Sequence, residues 1–144
     1  MDFKELERTL MEQIGNLHGT PLQLREDTWE YHTLEGHEAD LTMWRQMVSN
    51  ALNTAKTFEI HCWIDEAEEI ELALRYGERK DHTWIHGEII TGAVTQEFAE
   101  MVLSQPKPAD SDMGRKLTPF FNLFLDDVFQ SSHYGTELCV NAKE

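Results

Sequence analysis

The chain has 144 residues, 40% of them hydrophobic, with four Trp and seven Phe. That composition excludes a disordered chain and suits one globular domain over residues 1–144. Its 27 acidic against 12 basic residues leave a net charge of −15, a field that repels nucleic acid and anionic membranes and attracts basic partners.

The charge is unevenly spread. Between Glu26 and Leu74 twelve acids face only Arg45 and Lys56, and five carboxylates fall within Asp65–Glu71. Acidic surfaces in general serve solubility, and such clustering weakens that reading without overturning it. The first ten residues, MDFKELERTL, lack the apolar core of a signal peptide. No apolar run approaches the roughly 18 residues a bilayer span requires. A cytoplasmic protein is the expectation, and Cys62 and Cys139, far apart and outside any CxxC pattern, then read as two free thiols.

In chain order, Phe3, Leu6, Leu10, Ile14 and Leu17 lay one apolar stripe along a first helix, closed by Gly15 and Gly19-Thr20-Pro21. Residues 21–34 alternate in two short strands, Leu22-Leu24 and Trp29-Tyr31, around a turn at Arg25–Asp27. From about Ala39 to Ala55 a second helix buries Leu41, Trp44, Val48, Ala51 and Ala55, with Met47 and Leu52 widening the seam.

The next segment pits period against propensity. In DEAEEIELALRYG, residues 65–77, a strand puts Ile70, Leu72, Leu74 and Tyr76 on one side, whereas a helix sends Leu72 and Tyr76 to the charged side. Glu, Ala and Leu favour the helix. The flanks, Phe58-Ile60-Cys62-Ile64 and Thr83-Ile85-Gly87-Ile89, also alternate, so the expectation is an antiparallel meander with Asp65, Glu66 and Glu68 at a hairpin tip. Thr95–Gln105 reads as a helix with Phe98, Met101 and Val102 inward and Pro106 ending it. Thr118-Pro119 predicts a last helix over 118–130, so apolar around its circumference that it would be central or shared with a dimer mate. Its polar strip would be Asp126-Asp127, and Leu138–Val140 would add an edge strand.

The predicted fold class is therefore α+β: an antiparallel meander of three to five strands with about four helices mainly on one face.

Chemistry-bearing motifs are absent from the sequence: no phosphate loop, dinucleotide fingerprint, nucleophile elbow or HExxH pair. His82 and His86 would share a metal on a helix, but on a strand they lie about 13 Å apart. An enzymatic alternative uses His61, His86 and Glu88, provided strand register brings His61 alongside the other two. Asp126-Asp127 has no feature of a glycosidase pair. No catalytic residue, metal or cofactor is assigned. Arg75, Arg79, Lys80, Arg115 and Lys116 are too few to hold nucleic acid against the overall charge.

The expected function is binding. In the meander, Glu59, His61, Trp63, Glu71, Arg75, Trp84, His86 and Glu88 share the sheet face turned from the core. Tryptophans among charges suit a recognition surface. The partner-binding assignment is Asp65, Glu66, Glu68, Glu69, Glu71, Trp63 and Trp84, and the concrete function is an immunity protein neutralising a basic, nuclease-type toxin. The alternative is a dimeric acidic chaperone for a secreted effector, paired through the 118–130 helix. The docking surface depends on residues 70–76 forming a strand.

Overall fold

The computed structural model describes residues 29–81, 84–110 and 114–141. In chain order they form β1 (Trp29–Thr33), α1 (Glu38–Leu52), β2 (Thr57–Trp63), α2 (Ala67–Leu74), β3 (Glu78–Arg79), β4 (Gly87–Ala93), α3 (Gln96–Ser104), β5 (Asn122–Leu125), β6 (Phe129–Ser132) and β7 (Glu137–Asn141). The class is α+β. All seven strands join one antiparallel sheet in the order β1-β7-β6-β5-β2-β4-β3, wider than the three to five expected. Three helices lie among the described residues. The predicted helix Phe3–Leu17 and strand at Leu22–Leu24 fall outside them.

One sheet face carries the core. Phe58, Ile60 and Cys62 alternate inward from β2, and register aligns Ile60 with Ile90 on one side and Leu123 on the other. Onto this face α1 places Leu41, Trp44 and Val48 of the predicted seam together with Leu52, while Ala51 is half-buried and Ala55 lies beyond the helix end. Trp44 Nε1–H donates to Ser131 Oγ at 3.1 Å, so its one polar atom is satisfied inside. From α3, Phe98, Met101 and Val102 point inward as expected, and the Phe98 ring stacks on Phe58 at 4.0 Å. Each such large side chain contributes about 1.5–3 kcal/mol of burial. Local signals fix the ends of α3: Thr95 Oγ1 accepts the Phe98 N–H, and Gln105, extended before Pro106, stops it.

Two segments take the opposite state from that expected. Residues 67–74 are helix α2, not a strand. Ile70 and Ala73 are buried, and Leu72 and Leu74 pack partly against the core. Tyr76, counted against the helix, lies beyond its end and meets the Phe98 ring at 6.0 Å edge-on. With that residue removed from the helix, propensity decides, and Glu68 and Glu69 in the first turn complement the helix dipole.

Residues 118–130 are not a helix. They supply β5 and the start of β6, joined by a turn in which Asp126 takes a left-handed φ of 48°. Leu123, Leu125 and Phe129 enter the core from strands, which removes the helix proposed as a dimer face. Asp126 and Asp127 thus belong to a turn rather than to a helix's polar strip. Two smaller shifts follow. Strand β4 begins at Gly87, so within residues 85–90 the fully buried isoleucine is Ile90 rather than Ile85 or Ile89, and Ile85 stands 80% exposed. The tail strand β7 is not an edge but lies between β1 and β6.

Candidate functional site

At the end of the sheet where β2 leaves for α2, the chain turns at Asp65–Glu66 and β4 enters beside it. Ile64 N–H donates to the His86 carbonyl at 2.9 Å, so Ile64 and the 85–86 turn lie together. Both isoleucines there face outward, Ile64 65% and Ile85 80% exposed. Ile64 borders a groove of about 640 Å³ lined also by Trp63, Asp65, Glu66, Glu69, His86, Lys116 and Tyr134.

Glu66 is the pivot of this groove. Its carboxylate accepts the Trp63 N–H at 2.8 Å and the Tyr134 hydroxyl at 2.8 Å. Lys116 Nζ stands 4.0 Å from Glu66 Oε2 and 4.3 Å above the centroid of the Tyr134 ring, a cation–π contact. Burial raises the Glu66 carboxyl above its ordinary range and Glu69 adds to the rise; Trp63, Tyr134 and Lys116 offset it only in part. Burial and the Glu66 carboxylate likewise raise the Tyr134 hydroxyl, which stays protonated and donating. The aim of Tyr134 comes from a turn in which His133, Tyr134 and Gly135 all have positive φ, at 51°, 59° and 93°. For the first two this is a sparsely populated conformation, held by the surrounding packing.

Behind the groove runs an array of tilted rings. Trp84 meets Trp63 at 5.2 Å, Trp63 meets Phe121 at 4.9 Å, and Phe121 meets Tyr134 at 5.3 Å. His61 joins it through Trp84 at 5.8 Å and Phe124 at 4.9 Å. Gly87 makes room for this packing, because a Cβ there would collide with the Cys62 carbonyl and the Trp84 ring. Trp63 and Trp84 are therefore half-buried members of an aromatic layer rather than free-standing anchors.

The predicted contact residues divide. Asp65, Glu68 and Glu71 are exposed, Glu69 is half-buried, and Glu66 is turned inward. Glu71 reaches Arg75 at 3.8 Å, but Asp65, Glu68 and Glu69 have no ion-pair partner among the described residues. With residues 67–74 helical, the recognition face drawn from a β-ribbon does not exist, since Glu71 and Arg75 leave the sheet.

The enzymatic trio is also separated. Register pairs Glu88 with Cys62 and His61 with Ile89, which puts Glu88 and His61 on opposite sheet faces, while His86 lies in the turn before β4. His61 bonds instead to Glu59 at 2.7 Å and Asn122 at 3.2 Å. Although burial opposes it, the bonds from His61 and Lys80 hold Glu59 below the ordinary carboxylate range. His82 lies outside the described residues. Among those described, no three His, Cys, Asp or Glu side chains are grouped to hold a metal. Cys62 is a free thiol; burial, then Glu66 and Glu69, push it well up, so it stays protonated.

Sequence reasoning missed Lys116, Tyr134 and the exposed pair Ile64 and Ile85. Only Gly135, as a turn residue, hinted at the conformation that aims Tyr134. Among the described residues no helix is long and apolar enough to cross a membrane. Comparison with protein-family models, with curated proteins and with solved structures finds no match.

Proposed function

We propose that this chain is a binding protein that captures a basic protein partner at the end of the sheet formed by residues 63–71 and 84–86. Its most concrete form is an immunity protein, a cytoplasmic antidote that covers a basic, nuclease-type toxin. The observation that carries the reading is the exposed pair Ile64 and Ile85 set beside Asp65, Glu68 and Glu69, carboxylates without an ion-pair partner among the described residues. Apolar area supplies the adhesive contact, and unpaired charge supplies attraction and selectivity. This footing differs from the ribbon face expected from the sequence, since Glu66 is an internal bond acceptor and the tryptophans brace the surface from behind.

The test is charge reversal that spares Glu66. Wild-type protein and the D65K/E68K double variant are each used to recover a basic partner from the native cell at rising salt. Circular dichroism checks that α2 is retained. Wild type should hold a basic protein that salt releases, and the variant should lose it by at least tenfold. Equal recovery and equal salt dependence would sink the assignment. A partner that inhibits no growth and cleaves no nucleic acid would remove the antidote form while leaving the binding surface.

A further inference from the structure

Around the groove the charges do not balance. Asp65, Glu66 and Glu69 line it with Lys116 as the cation, and Lys116 is committed to Glu66 and the Tyr134 ring. Glu69 has no ion-pair partner among the described residues, yet it is near enough to bear on Glu66, Tyr134 and Cys62 alike. Trp63 also lines the groove, and its buried indole Nε1–H has no acceptor among the described residues. The groove thus offers spare negative charge, an aromatic wall and a volume of about 640 Å³, ample for one long side chain.

We propose that the groove receives one arginine side chain of the basic partner, its guanidinium lying against Trp63 and donating to Asp65 and Glu69. This rests on the binding reading above and names the partner group that would anchor it. The arrangement favours a guanidinium over a second ammonium. Lys116 already occupies the position over Tyr134, where a compact cation belongs. What remains is a flat ring beside two carboxylates, which matches a planar donor fork.

The small probe is N-acetyl-arginine amide, titrated into 15N-labelled protein. The Trp63 indole N–H signal, assigned by its loss in Trp63→Phe, is the readout. Arginine amide should move this signal saturably, and the uncharged isostere N-acetyl-citrulline amide should not. Glu69→Gln, which keeps helix propensity, should weaken the arginine response by about fivefold. No response to arginine, or an equal response to citrulline, overturns the pocket. The two proposals fail separately. Salt-dependent partner capture without an arginine response removes the pocket alone. An arginine response with no basic partner captured removes the binding function and keeps the pocket's chemistry.

Discussion

Two carboxylates sit at chain reversals at opposite ends of β2, and their environments differ in kind. Asp126, in the β5–β6 turn, accepts the backbone N–H groups of Lys56 and Thr57 and the Thr57 hydroxyl, all at 2.8–3.1 Å. Glu66, in the turn after β2, accepts one backbone N–H and one phenol and has a second acid beside it. Burial pulls both upward. At Asp126 the donors outweigh it and the carboxyl is held below its ordinary range; at Glu66 they do not. The lesson is that a surface carboxylate saturated by backbone donors is a clamp, whereas a half-buried one short of donors has capacity left for a ligand.

The largest effect should come from breaking the clamp. Asp126→Ala strips the acceptor from Lys56 and Thr57 and leaves a β-carbon in the left-handed region, so a loss of about 2 kcal/mol is expected in urea unfolding. Asp126→Asn should recover most of it, since Asn tolerates that backbone and still accepts. If Ala and Asn behave alike, the clamp is not what matters there. Next in size is Tyr134→Phe, which keeps the ring but removes a donor from Glu66. It should cost about 1 kcal/mol and push the Glu66 carboxyl further up, which 13C titration of the carboxyl would detect.

The same contrast explains what could be read from the sequence. Helices α1 and α3 were legible because their signals are local: a stripe at helical spacing, Thr95 as cap, Pro106 as stop. Residues 67–74 and 118–130 were not, because their states hang on distant contacts. Tyr76 finds its place against Phe98 of α3, and without that contact its spacing reads as a strand. The apolar residues from Phe120 to Phe129 cover too much of a helix's circumference because they are spread over a loop, two strands and the turn between them, with Leu123, Leu125 and Phe129 facing inward and Asp126 at the turn. At the site, the acidic patch was visible as composition. That one of its five acids turns inward was not, since Glu66 is drawn in by Tyr134, 68 positions along the chain.

The smallest effect at neutral pH is the most discriminating, because the two carboxylates act on stability with opposite sign. Asp126 has a lowered folded-state pKa, so below the ordinary 3.8 the unfolded chain takes up a proton first. Its contribution is therefore present above that value and lost as pH falls through the folded-state pKa. Glu66 has a raised one, so above the ordinary 4.5 the folded protein still holds a proton that the unfolded chain has released. Its contribution is present at lower pH and is lost as pH rises through the folded-state pKa. Glu66→Gln should thus change stability by less than about 1 kcal/mol at pH 7, but relative to wild type it should gain as pH rises from 4.5. Asp126→Asn should differ from wild type above 3.8 and converge with it in acid. Urea unfolding across this range checks both slopes. Parallel curves for wild type and Glu66→Gln above 4.5 would mean that the Glu66 carboxyl is not raised in the folded protein, and the contrast with Asp126 would fail.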